Sequence, residues 1–172
     1  HRCFICLNKY FCYNIHVSIN RKDDMVEKAE RMDELRMCIG VIADRHQGGL
    51  LSFYQSVCQA LSEQMESYQS VSVYAVGRGF FYCAAKSGEF HLPERVKFGE
   101  GIWTIAAVRG NLVHEWMNNQ SFVVAPFYEG HHLRGQLLVV SQPGMQLDEE
   151  DTSFFCELAS LFASKGRKWG FE

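Results

Sequence analysis

The apolar period of this chain changes from helical to alternating and back again, and no other feature constrains its fold as much. From Met25 to His46 the apolar residues Met25, Met32, Leu35, Ile39 and Ile42 recur at helical spacings and fall on one stripe. Asp23 or Asp24 is placed to cap that helix. Gly48-Gly49 then breaks the pattern, and a second helix is expected from Leu50 to about Tyr68, with Leu50, Tyr54, Val57, Leu61 and Met65 on its apolar face. Beyond Tyr68 the period becomes two. Val71, Val73 and Ala75 alternate with Ser72 and Tyr74, as in a strand.

Gly77-Arg78-Gly79 reads as a turn and Phe80 to Ala85 as the hairpin partner. Ser87-Gly88 reads as another turn, and Phe90 to Leu92 as a short strand ending at Pro93. Phe98-Gly99-Glu100-Gly101 is a glycine-bracketed loop. It leads into a short helix, Ile102 to Arg109, closed by Gly110. Leu112 and Val113 open a short strand. Phe122 to Tyr128 and Leu133 to Ser141 form a hairpin around Glu129-Gly130-His131-His132, and Pro143-Gly144 turns the chain. Asp148 caps a last helix that carries Glu149, Glu150 and Asp151 in its first turn, where the helix dipole favours negative charge. Phe155, Leu158, Ala159 and Phe162 make the apolar face of that helix. Short antiparallel strands with helices at both ends imply an α+β fold of one sheet, its terminal helices covering one face. A doubly wound parallel sheet would need βαβ alternation, which this order lacks.

At 172 residues the chain suits one domain with an appended helix. A net charge of -3 gives no basic face for nucleic acid. No apolar run approaches the roughly 18 residues that span a bilayer. No signal peptide is legible, because Asn8, Lys9 and Asn14 interrupt the first apolar stretch. Four of the seven cysteines, Cys38, Cys58, Cys83 and Cys156, sit singly in apolar-patterned segments, the pattern of reduced cysteine in a cytoplasmic protein. Residues 1–24 lack sustained periodicity. They read either as a native or disordered segment, or as a non-native leader, with Met25 the natural start and Arg21, Lys22 and Asp23 a purine-rich ribosome-binding site read as codons. The expected organisation is that segment, a signalling and dimerisation helix over 25–48, a domain over 50–165, and a tail over 166–172.

Three stretches in order resemble one family. Phe98-Gly99-Glu100-Gly101-Ile102 with Ala106-Ala107, Gly110 and Val113 is similar to the signature of the GAF domain. So are Val124-Ala125-Pro126-Phe127 with Gly130, Leu133, Gly135 and Leu137, and Leu147, Glu150-Asp151, Phe155 and Leu158-Ala159. The resemblance spans about Leu50 to Ala163. It implies a GAF-like antiparallel sheet of five or six strands, with the N- and C-terminal helices on one face and the loops of a ligand pocket on the other. It also implies dimerisation through the terminal helices. The family's ligands include cyclic nucleotides, tetrapyrroles, haem, small anions and amino-acid-like effectors, and the resemblance leaves any cofactor here unknown. The chain departs from the family between Val113 and Phe122. His114 to Ser121 is too short for the usual helix and lid, so the pocket is expected to be small, open or vestigial.

The expected ligand site is the start of the short helix, whose free N–H groups attract anions. Gly101, Ile102, Trp103 and Thr104 border it, with His114, Trp116 and Tyr82 as lining residues. The plain alternatives are a solvated helix end and ordinary aromatic packing. Cys3, Cys6, Cys12 and His16 have zinc-ligand chemistry, but the bulky residues between them lack the glycine turns of small zinc modules. His131-His132 reads as an exposed hairpin tip. No Ser-His-Asp set, phosphate-cradling glycine loop or H-E-x-x-H is present. The expected function is a cytoplasmic, non-enzymatic sensor that binds a small-molecule effector and signals to a downstream protein as a homodimer. A ligandless docking module is the alternative. A redox enzyme of the methionine sulfoxide reductase type, using Cys83, is the third reading.

Overall fold

A computed structural model describes the backbone of residues 5–169 and the side chains of residues 22–168. The chain divides into two compact units, His1–Cys38 and Ile39–Glu172. Helix α1 runs over Ile5–Arg45, longer than the periodicity predicts. The sequence before Gly40 contains neither glycine nor proline, so nothing in it breaks a helix that the stripe starting at Met25 already favours. In the first unit the exposed face of α1 carries the pairs Glu27–Arg31 and Asp33–Arg36 at helical spacing. The Cys3, Cys6, Cys12 and His16 set lies outside the described side chains.

The second unit holds helix α2 (Leu50–Gln64), strands β1 (Tyr68–Gly77), β2 (Phe80–Gly88) and β3 (Arg95–Lys97), helix α3 (Gly101–Arg109), strands β4 (Val113–Met117), β5 (Gln120–Glu129) and β6 (His132–Ser141), and helix α4 (Glu149–Trp169). The six strands form one sheet in the order β3-β2-β1-β6-β5-β4, with every pair antiparallel. The Phe90–Leu92 strand expected from sequence is absent, and the third strand is Arg95–Lys97, beyond Pro93. Leu92 is buried as an irregular core residue instead. Helix α2 ends at Gln64, four residues before Tyr68, and Tyr68 already belongs to β1.

Helices α2 and α4 cover one face of the sheet. Phe53, Tyr54, Phe127 and Phe162 meet there, with ring centroids 5.0–6.5 Å apart. Gly135 lets β6 lie close to β1 and under the Phe127 ring of β5, since a Cβ on it would lie 2.4 Å from that ring and 2.6 Å from the Tyr74 carbonyl. Helix α3 covers the opposite face. Ile102 and Ala106 pack there on Tyr74, Phe81, Val113, Phe122, Val124, Leu138 and Val140. Because both faces are covered, β1 is buried without a break from Ser70 to Tyr74 and does not show the half-buried alternation of its sequence.

The start of α4 is fixed by a reciprocal cap. Asp148 Oδ1 accepts the Glu150 and Asp151 N–H groups, and Asp151 Oδ2 accepts the Asp148 N–H. Asp151 is 1% exposed, and its other oxygen accepts a 2.7 Å hydrogen bond from Tyr68 Oη at the start of β1. The last turn of α1 also packs within this unit. Ile39 and Ala43 are buried, and Lys165 Nζ of α4 donates to the Ala43 carbonyl at 2.6 Å. The apolar stripe that the sequence offers to a second copy is therefore partly used inside the chain.

Candidate functional site

The loop before α3 turns sharply because Gly99 and Gly101 both adopt positive φ, 100° and 64°. A Cβ on Gly101 would lie 2.9 Å from the Trp103 ring, so glycine lets the indole fold back over the helix start. Glu100 is the N-cap residue and its side chain makes no capping hydrogen bond. Helix geometry leaves the N–H groups of Gly101, Ile102 and Trp103 without intrahelical acceptors. Thr104 Oγ1 accepts the Gly99 N–H and donates to the Glu100 carbonyl, both at 3.0 Å, and so braces the loop. At the far end Gly110, at φ 70°, closes α3.

An open groove of about 430 Å³ lies beside this helix start. Gly99, Gly101, Ile102, Trp103, Thr104 and Ile105 form one side, and Glu115, Met117 and Phe122 the other. Four of the residues singled out in the sequence, Gly101 to Thr104, thus line one cavity. Tyr82, His114 and Trp116 do not, and strand parity explains why. His114 pairs with Val123 and Trp116 with Ser121, so both share the face of Val123, opposite that of Phe122. His114 is engaged there with Ser121 Oγ at 2.9 Å. Tyr82 pairs with Ala75 and so also points away from the face of Tyr74. The groove residues that the sequence reading missed, Glu115 and Met117, are the alternate set on β4. The hairpin turn Asn118-Asn119, with φ 51° and 62°, was the signal that could have fixed their register. The residues His114 to Ser121, too few for a lid, are this strand and its tight turn.

Under α3 the sheet carries a polar row among apolar side chains. Gln136 is fully buried and its Nε2 donates to the Trp103 carbonyl at 2.7 Å. The Trp103 ring stands edge-on to Tyr74 with centroids 5.3 Å apart, and Tyr74 Oη donates to the Pro93 carbonyl at 2.6 Å. Cys83 packs against the same core. Burial and the nearby Glu94 carboxylate push its thiol pKa up, opposed by Lys86 and Tyr74. Burial likewise pushes up the thiols of Cys58 and Cys156. Among the described residues no group of three or more His, Cys, Asp or Glu is placed to hold a metal ion, and no helix is long and apolar enough to cross a membrane. His131 and His132 are exposed at the β5–β6 turn.

No protein-family model and no curated protein matches the sequence. Solved structures do match in fold. The GAF domain of a phosphoenolpyruvate-protein phosphotransferase from Coxiella burnetii is 20% identical, with 83% of this chain and 98% of that one covered at a TM-score of 0.68. A free methionine-R-sulfoxide reductase from Neisseria meningitidis, in complex with its substrate, is 21% identical, covering 82% and 90% at 0.70. A type II enzyme of the same kind from Thermoplasma acidophilum is 21% identical, covering 72% and 95% at 0.64. The fold is GAF-like, and at these identities the likeness extends to fold alone.

Proposed function

Taking the GAF-like fold as premise, we propose that this domain is a cytoplasmic, non-enzymatic sensor whose effector binds in the groove beside α3. The observation that carries this reading is the uncapped start of α3 opening into that groove. Free N–H groups at the positive end of the helix suit an anionic group, and Ile102, Ile105, Met117 and Phe122 suit an apolar body. Glu115, on the far side, suits a hydrogen-bond donor or an ammonium group on the same effector. The groove fits a small metabolite better than a bulky cyclic nucleotide, since β4 turns directly into β5 and supplies no lid.

The chemistry of the thiols supports a regulatory role over a reductase. A thiolate nucleophile needs a lowered pKa, whereas burial raises that of Cys83. Cys58 belongs to α2, which covers the opposite face of the sheet from Tyr74 and Cys83. Among the described residues Cys58, Cys83 and Cys156 form no disulfide, as suits a reducing compartment. The signal passes through the terminal helices to a downstream protein, from a homodimer. With Ile39 buried, that contact uses the exposed Met37 and Val41 of α1.

A ligand that binds only the folded state raises its stability, by about 2.7 kcal/mol at a hundredfold excess over Kd. The test is a thermal-shift screen of small carboxylates, zwitterions and nucleotides, together with mass spectrometry of whatever copurifies with the protein. A ligand that raises the melting temperature of the wild type, and raises it less in Glu115→Gln, supports the reading. If nothing copurifies and nothing shifts the transition, the domain is a docking module instead.

A further inference from the structure

The two edges of the sheet are not built alike. Strand β3 is three residues long, carries Arg95 and Lys97 around Val96, and holds the Arg95 guanidinium carbon 3.4 Å from the centre of the Phe80 ring. A short, charged edge protects a sheet against unwanted strand pairing. At the other side β5 runs past β4, and that overhang contains Pro126, which protects in the same sense. Strand β4 itself has no such device. Val113–Met117 contains no proline, lysine or arginine and pairs with β5 without a bulge. Its Trp116 and Met117 are 47% and 37% exposed.

The register fixes which backbone groups of β4 are open. The two-residue turn Asn118-Asn119, with both residues at positive φ, makes Met117 and Gln120 a hydrogen-bonded pair. The bonds then alternate along the ladder. The N–H and C=O groups of Val113, Glu115 and Met117 point to β5, and those of His114 and Trp116 point outward. Consistent with this, the N–H of Ser121, opposite Trp116, points the other way and donates to Ser141 Oγ at 2.8 Å. The outward groups of His114 and Trp116 meet no backbone partner among the described residues.

The side chains say what kind of strand fits. Glu115 and Met117 line the α3 groove, so the groove runs along the open edge, and Glu115 is the one charged residue among those lining it. His114 and Trp116 lie on the other face. A strand laid antiparallel on β4 makes its hydrogen bonds at His114 and Trp116. Its residue opposite Glu115 projects to the groove side, where a cationic head meets the carboxylate and its aliphatic stem covers Met117. The two flanking residues fall on the face of the Trp116 indole, which suits β-branched apolar side chains.

We propose that β4 is a docking edge for an extended segment of a partner protein, in which a lysine or arginine stands between β-branched apolar residues and which adds to the sheet as a seventh strand. This goes beyond the sensor reading and does not rest on it, since the edge is open whatever the groove binds.

The probe is the peptide acetyl-Thr-Val-Lys-Val-Thr-amide, titrated into the nitrogen-15-labelled full chain. Saturable shifts of the His114 and Trp116 amides are expected, with slower solvent exchange of both. The same peptide with glutamate in place of lysine should bind roughly tenfold more weakly, because attraction to Glu115 becomes repulsion, and Glu115→Gln should narrow that gap. N-methylation of both valines removes the two donors that face β4 and should abolish binding. Trp116→Pro should do the same, since it takes away an outward N–H and no bond to β5; the methylated peptide tests the same contact without touching the fold. No shift at His114 and Trp116 with millimolar lysine peptide, equal affinity for the lysine and glutamate peptides, or undiminished binding of the methylated one overturns the proposal. So does sedimentation that finds a wild-type dimer turned into a monomer by Trp116→Pro, which would give the edge to a second copy of this chain.

Discussion

Tyr68→Phe removes one oxygen and nothing else from the clasp between β1 and α4. The ring keeps its packing against Phe155, with centroids 5.3 Å apart. What is lost is a 2.7 Å hydrogen bond to a carboxylate that is 1% exposed. Hydrogen bonds to charged groups contribute about 1.5–3 kcal/mol, and burial shields this one from salt. The expected loss is therefore about 2 kcal/mol, or a melting temperature lowered by roughly 4–8 °C for a chain of this length. Asp151→Ala should cost more, about 2–4 kcal/mol, because it also removes the reciprocal cap on α4 and leaves the Tyr68 hydroxyl buried without its acceptor. Urea denaturation of the wild type, both single variants and the double variant gives the coupling energy directly. A coupling of about 1.5 kcal/mol or more, insensitive to added salt, is expected. A value below about 0.5 kcal/mol would mean that the two ends of the domain are not held through this contact.

Gly135→Ala should destabilise the domain by about 1–3 kcal/mol in the same assay, since its Cβ would meet the Tyr74 carbonyl and the Phe127 ring at once; a neutral effect would contradict the close approach of β6 to β1 and to that ring. Asn118→Val should cost about 1–2 kcal/mol, because a β-branched residue resists the positive φ of the β4–β5 turn, while Asn119→Gly should be tolerated or slightly stabilising. The raised Cys83 pKa means that the folded chain holds this proton more tightly than the unfolded one. Its contribution to stability is therefore intact at neutral pH and falls as pH rises through the thiol range. Alkylation of Cys83 by iodoacetamide, followed by mass spectrometry, should accordingly be slower at pH 7 than that of an unstructured cysteine peptide; an equal or faster rate would reopen the redox reading.

The fold was legible because its elements announce themselves locally. The helical stripes, the glycine loop ahead of α3, the Asp148 cap and the β5–β6 hairpin all lie where local pattern places them, and together they specify an α+β sheet with helices at its ends. The third strand was not legible. Phe90 to Leu92 has strand-like composition, but what pairs with β2 is Arg95–Lys97, two charged residues around the buried Val96, and only the edge of a sheet makes that choice. The site was half legible for a related reason. Glycines and a helix start can be read within a few residues, which gave Gly101 to Thr104. Which of two adjacent residues on β4 faces the groove depends on register against β5, and a slip of one exchanges His114 and Trp116 for Glu115 and Met117. The buried Gln136 that holds the Trp103 carbonyl comes from a strand distant in sequence, so no local pattern could have joined the two.

The central seam of the sheet has a consequence for how the chain assembles. Strands β1 to β3 form one set of local pairings and β4 to β6 another, while β1 meets β6 with Tyr68 opposite Ser141. Each half can zip up early, because short loops close cheaply. The seam must wait for the two halves to find each other, and such long-range pairing is the slow event in folding. The segment that tethers them is the one carrying α3. Lengthening its flanking loops should raise the free-energy cost of closure only logarithmically with loop length. Ser72 and Gln136 face each other diagonally across that seam and are fully buried, so docking of the two halves is the step that takes both polar side chains out of water.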